Sequence, residues 1–332
     1  MKVFILGMLS LVFLAGCQVS EEVVEDGAVT QEVELGAYAF GPLLDVEMNE
    51  LIRFEFIGEE IRIPYHVEGQ ARGIVSEFGW FALVDGLPQS TRLETLDGSV
   101  LSEESFMHIF QLEFMERKEF YVVFTPEVEN KEGSVGFIAG GILSPTFLPK
   151  STDNPSFGGM HHLTATIPAE IKMLTSTSSS LVAYRQDNLV EINEDILSQL
   201  EERLISEVAI LEVLNYFPFL AILPIEDDLQ INRQVVLESS NNSVDVRLIV
   251  LGGQEVLNRI TFFVNHQPVT INGVADYVEI FLNSGRMGII DINLDVEILN
   301  ELNSLYAIMM TAGEDYLIQD IFKSSSVLLI QN

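Results

Sequence analysis

The sequence predicts an all-β fold: two tandem β-sandwich domains, Ig-like or jelly-roll-like, joined by a helical connector. Three observations predict it. Short strand-like runs separated by turn residues fill positions 36–174 and return over 230–332. The intervening 175–229 carry apolar residues at helical spacing. The two β regions also share a phrase in the same order, which suggests a duplicated fold.

The chain opens Met1-Lys2 and runs apolar from Val3 to Leu14, broken by Gly7 and Ser10. A positive start and about a dozen apolar residues fit a secretory signal, and fall short of the roughly 20 that a membrane span needs. The run ends Leu14-Ala15-Gly16-Cys17. This resembles the lipobox of bacterial lipoproteins. The resemblance covers residues 1–17 and speaks to address. It implies diacylglyceryl transfer to the Cys17 sulfur, cleavage of residues 1–16, and lipid anchorage on the extracytoplasmic face of the cell membrane. Two or more acyl chains make such an anchor durable. Residues 17–35 then form a lipidated acidic tether. Six acids lie between Glu21 and Glu34, and no basic residue occurs between Cys17 and Arg53, so like charges keep the segment solvated.

Residues 36–174 read as the first sandwich. Leu51–Ile57, Ile61–Tyr65, Gly79–Val84, Phe106–Phe114, Glu119–Phe124 and Val135–Leu143 are its strands, and Asp85-Gly86 marks a turn. In the connector, Thr175–Ser180 is a Ser/Thr-rich link. Asn193 caps a helix whose apolar face is Ile196, Leu197, Leu200, Leu204, Ile205 and Val208. Tyr216–Pro224, interrupted by prolines, packs between the domains or forms an edge strand. From 230, Val244–Leu251, Arg259–Val264, Val278–Leu282, Met287–Leu294 and Leu305–Met310 are the strands, and Asn272-Gly273 reads as a hairpin turn. The shared phrase aligns Phe81–Pro88 with Phe262–Pro268, Gly69-Gln70 with Gly253-Gln254, and Glu119–Thr125 with Ser304–Thr311.

Fifty acids against 17 lysines and arginines give a net charge of −33. Without a basic stripe, nucleic acid is excluded as a partner. An electrostatic grip on anionic lipid is disfavoured too. The excess acid reads as adaptation to the surroundings rather than as a ligand site. Beyond Cys17 there is no cysteine, hence no disulfide, thiolate metal site or thiol nucleophile in the mature chain.

Candidate chemistry is sparse. His161 and His162, in Phe157-Gly-Gly-Met-His-His-Leu163, could bind a metal only if a turn brings both rings to one side, and no HExxH spacing surrounds them. Asp291-Ile-Asn293-Leu-Asp295 opens like a calcium loop, but Val296 stands where that loop needs glycine. Its alternation reads as a strand. Calcium is thus the one cofactor with any foothold, at acidic turns such as Glu226-Asp227-Asp228. Trp80, the only tryptophan, is a ligand-stacking candidate if exposed and a core residue if not. No GxSxG elbow is present. Among so many acids, no carboxylate pair stands out for glycoside hydrolysis.

The functional expectation is a membrane-anchored, non-enzymatic binding, adhesion or accessory module of the cell envelope. It would meet the membrane through its lipid, and an envelope protein or surface polymer through its fold. The alternatives are a solute- or glycan-binding receptor and a cell-wall-polymer hydrolase, which would need a convergent acid pair or a His-lined metal in a cleft and would be favoured by a deep cleft around His161.

Overall fold

A computed structural model of the chain describes residues 38–43, 52–70, 76–128, 133–158, 160–166, 168–175, 177, 180–201, 213–214, 217–225, 229–231, 234–253, 255–296, 300–312 and 321–331. Cys17, the tether, the Glu226–Asp228 turn, and Leu204, Ile205 and Val208 lie outside the described residues.

Twelve strands build the first unit. They are β1 (Tyr38–Pro42), β2 (Arg53–Phe56), β3 (Ile61–Gly69), β4 (Ser76–Val84), β5 (Leu87–Gln89) and β6 (Thr91–Glu94). They continue with β7 (Val100–Ser105), β8 (His108–Leu112), β9 (Arg117–Phe124), β10 (Gly133–Leu143), β11 (Leu163–Ala165) and β12 (Ala169–Met173). One sheet has the order β1-β3-β9-β6-β7. The other runs β2-β12-β10-β4-β5, with β8 also on β4 and β11 also on β10. Buried residues alternate along β3, with Ile61, Ile63, Tyr65 and Val67 turned inward. They meet Phe78, Trp80 and Ala82 of the opposite sheet, and that contact is the sandwich core.

The second unit holds β13 (Ala183–Gln186), β14 (Leu189–Glu191), helix α1 (Glu194–Glu201), β15 (Phe219–Leu223), β16 (Val236–Ser239), β17 (Ser243–Leu251) and β18 (Val256–Val264). It continues with β19 (Gln267–Pro268), β20 (Thr270–Ile271), β21 (Tyr277–Leu282), β22 (Arg286–Asp295), β23 (Leu302–Ala312), β24 (Ile321–Lys323) and β25 (Val327–Gln331). Its sheets are β13-β21-β18-β23-β25-β16, with β19 and β24 added on β18 and β23, and β14-β22-β17-β15, with β20 on β22. Val246, Leu248 and Val250 of one sheet pack against Ile260, Phe262, Ala307 and Met309 of the other.

The protein is therefore all-β, with two tandem sandwiches, and the second repeats the plan of the first. β3 and β17 are flanked by β1 and β9, and by β15 and β22. β4 and β18 carry β8 and β5, and β21 and β19, on one edge. On the other edge they carry β10 and β23. Both units close with a parallel pair, β2 on β12 and β16 on β25. This matching revises one expected alignment: the strand equivalent to β23 is β10, and the equivalent of β9 is β22.

The stretch expected as a separate connector over 175–229 is built into the second unit. β13 pairs with β21, β14 with β22 and β15 with β17, so the second unit begins near Ala183 rather than at 230. β15 is the edge strand foreseen for Tyr216–Pro224. Asn193 Oδ1 accepts the Ile196 N–H at 2.9 Å and caps α1. Ile196 and Leu200 of α1 reach the second core. At Asn272-Gly273 the chain turns with both φ positive, closing a single bridge between Ile271 and Ala275 rather than a two-stranded hairpin.

Candidate functional site

The two units meet through their equivalent strands. Phe81 and Leu83 of β4 and Ile138 and Ile142 of β10 project away from the first core. They pack on Phe263 of β18 and Tyr306, Ile308 and Met310 of β23. These strands are thus buried on both faces, which is why Val135–Leu143 and Leu305–Met310 read as unbroken apolar runs. Each buried side chain of this size contributes about 1.5–3 kcal/mol.

A two-residue turn sits at each end of this interface. Asp85 and Gly86 have φ of 51° and 83°, and Asn265 and His266 have φ of 47° and 69°. Two positive φ values in a two-residue link are the hairpin geometry that follows the twist of its strands. At the first turn, Arg259 Nη1 donates to Asp85 Oδ2 at 2.7 Å and to the Asp85 carbonyl at 2.9 Å. Its Nε donates to Glu279 Oε1 at 3.3 Å. All three residues are buried. Gly86 is required there, since a Cβ would stand 3.0 Å from Arg259 Cβ.

At the second turn, the Pro145 carbonyl can only accept, so His266 donates to it through Nε2 at 2.7 Å. Nδ1 then accepts the Tyr306 hydroxyl at 2.9 Å. Burial drags His266 down to about 4. His161 lies alongside, with ring centroids 5.6 Å apart. Burial, with Lys323 and His266 nearby, lowers it to about 3. Both rings are therefore neutral at pH 7.

His161 faces the link between β24 and β25 of the other unit. Its Nδ1 lies 3.0 Å from Ser326 Oγ, and Lys323 Nζ donates to that same oxygen at 2.8 Å. Lys323 also donates to the Ser324 carbonyl at 3.0 Å and stands 4.6 Å from the centroid of the Tyr306 ring. Since Ser326 Oγ accepts from Lys323, its own hydrogen is free to go to His161 Nδ1. Burial alone pulls Lys323 down to about 7. Among the described residues no carboxylate pairs with it.

This cluster opens on a cavity of about 600 Å³, a size typical of small-ligand sites. The Pro155–Leu163 segment of the first unit forms one wall. β15, Ile231, β24 and Ser324–Ser326 of the second unit form the others. In a chain with 50 acidic residues, the described lining contains no Asp or Glu. It contains one lysine and two histidines.

Of the residues singled out from the sequence, His161 is in this site. His162 is next to it, but the turn at His161 (φ 58°) leaves His161 buried and His162 exposed. The metal reading required both on one side. Among the described residues, no three His, Cys, Asp or Glu side chains are grouped to hold a metal. Trp80 is fully buried, edge-on to Tyr65 at 5.4 Å and Phe120 at 6.3 Å. No face of it is open, which corrects its candidacy for ligand stacking. Asp291–Asp295 runs straight through β22, with Ile290, Ile292 and Leu294 inward. The Asp291 carboxylate is taken by Arg247 at 2.6 and 2.8 Å, so the calcium-loop opening is strand. Lys323, Ser326, Arg259 and the role of His266 were not foreseen. The available signal was a single lysine in an otherwise uncharged terminal stretch.

No protein-family model and no curated protein matches the chain. Among solved structures it is similar to CBD12 from CALX1.2, at 10% identity and a TM-score of 0.17, over 79% of each chain. It is also similar to the ASH/PapD-like domain 7 of human CEP192, at 9% identity and a TM-score of 0.20, over 48% of this chain and 99% of that one. Overlap this slight carries no argument about function.

Proposed function

We propose that the protein is a lipid-anchored, extracytoplasmic, non-enzymatic binding module of the cell envelope that holds its ligand in the cleft between its two sandwiches. The observation that carries this reading is a cavity walled by both units and lined by donors and apolar side chains. Paired sandwiches offer rigid walls, and loops and edges set at their junction supply specificity. The resemblance of Leu14-Ala15-Gly16-Cys17 to a lipobox supports the address.

A photo-crosslinking side chain at exposed Ser325, on the cleft rim, is expected to yield a light-dependent adduct in intact cells. One at Asp97, on the distant β6–β7 turn, is expected to yield none. Equal adducts from both positions, or none from either, would overturn the cleft reading. Cys17→Ser is expected to release the protein from the membrane fraction, and retention there would overturn the anchor.

A second reading, hydrolysis of a wall polymer, is favoured by one grouping. Ser326 Oγ lies between Lys323 Nζ and His161 Nδ1, and a serine nucleophile needs such a base within reach. A serine-reactive phosphonate that labels the protein but not Ser326→Ala would support it. Absence of labelling discards it.

A further inference from the structure

We infer that the cleft selects a ligand with a single carboxylate on an apolar body, the carboxylate seating on Lys323 and the body against Phe219, Met160 and Ile321. This rests on the cleft reading and deepens it. Three observations lead here. The first is the lysine itself. Its described partners are a carbonyl, a hydroxyl and an aromatic face, each neutral. A partly buried ammonium so placed has lost water without gaining an anion, and a ligand carboxylate supplies what is missing.

The second is the direction of the hydrogen bonds. Ser326 passes its hydrogen to His161, whose other nitrogen finds no hydrogen-bond partner. The carbonyls of Phe147 and Pro145 lie beside the His161 ring and favour a proton on it. The chain from Lys323 through Ser326 to His161 therefore runs in one direction, away from the cleft. What remains at the cleft end is donor capacity on the ammonium. An acceptor-only group matches it, whereas a cation or a second donor does not.

The third is the lining. None of the described wall residues is acidic, so none of them repels an anion. The general field of −33 charges remains, screened beyond about 8 Å at physiological ionic strength. That field favours a monoanion whose binding comes mostly from apolar contact. A phosphate dianion would bring more charge than one lysine can offset.

The test uses the full lipidated chain in lipid nanodiscs, with empty nanodiscs subtracted. Titration calorimetry compares 4-phenylbutyrate with 4-phenylbutan-1-ol, its neutral counterpart. At pH 6.5 the acid is expected to bind at least about tenfold more tightly, the contribution of one charge-assisted contact. Lys323→Met should bring the two within about threefold. The preference should also shrink as pH rises from 6.5 to 9, as the lysine loses its proton. Equal binding of acid and alcohol to the unaltered protein, or a preference that survives Lys323→Met, would overturn the inference and leave the cleft reading standing. Binding of neither compound would overturn it as well, and the cleft reading then stands or falls on the Ser325 crosslink.

Discussion

Asp85-Gly86 and Asn265-His266 are the same two-residue turn in the two units, and each is pressed against the other unit. The first is clamped by an ion pair, Arg259 with Asp85 and Glu279, sealed from solvent. The second is held by a neutral ring between a carbonyl and a phenol, and it borders the cleft. The difference teaches how a repeated element can divide its work. A buried ion pair is specific in geometry and costly to break, which suits a fixed joint. Neutral hydrogen bonds leave the neighbouring Lys323 without an anion of its own, which suits a place where something else is to bind.

Three measurements can break or sharpen this contrast. The largest effect is expected from Asp85→Ala, which removes one of the two carboxylates paired with buried Arg259. Urea denaturation should show a loss of about 3–5 kcal/mol. Adding Arg259→Met should recover much of it. A loss below about 1 kcal/mol would show that the clamp is not sealed.

An intermediate effect is expected from pH. His161 and His266 have folded values of about 3 and about 4, against about 6.5 unfolded. Between those limits the unfolded chain binds more protons, so stability falls as pH drops below 6.5. Lowering the pH from 6.5 to 5 in steps, while following the unfolding midpoint, should reveal a loss on the order of 3 kcal/mol from the pair. Buried His108, also drawn down to about 4 by burial, adds to it from within the first unit. His266→Asn keeps a residue that tolerates positive φ and should flatten the profile. An unchanged profile would show that the rings are not desolvated.

The smallest effect is expected from Tyr306→Phe. It removes the hydroxyl that His266 Nδ1 accepts and keeps the ring under Lys323. A loss of about 1–3 kcal/mol is expected by thermal or urea unfolding. No loss would mean that water replaces the phenol, and that this end of the joint is open.

Much of the strand grammar was legible because half-buried strands alternate: Ile61, Ile63, Tyr65 and Val67 announce β3, and Asn193 announces α1. The repeat was legible at its turns, since positive φ restricts the residue types that can stand there. The order of the strands was not. Tyr121 and Tyr306 look alike in sequence but lie on β9 and β23, which hold different places, because each strand's neighbours are set by pairings tens of residues away, such as Ile61 with Phe124 and Leu257 with Ala312. The interface left a trace in the unalternating runs of β10 and β23, which reads equally as any buried strand. The connector misled for a related reason: β13 and β14 are only a few residues long and exist as strands only because β21 and β22 offer free edges. His161 was visible as a residue, but its meaning depends on Ser326 and Lys323, which the fold alone brings near.

The parallel closing pairs carry a further consequence, for the order in which the chain can fold. Among the described residues, β2 pairs only with β12, and β16 only with β25. Each unit is therefore laced shut by its own last strand. As the polypeptide is made from its amino end, Arg53–Phe56 must wait, edge uncovered, until Ala169–Met173 emerges. The second unit cannot be finished before Val327–Gln331 emerges. Such distant pairings slow folding. A chain interrupted before Val327 would leave Val236–Ser239 without the strand it pairs with, and a sheet unlatched.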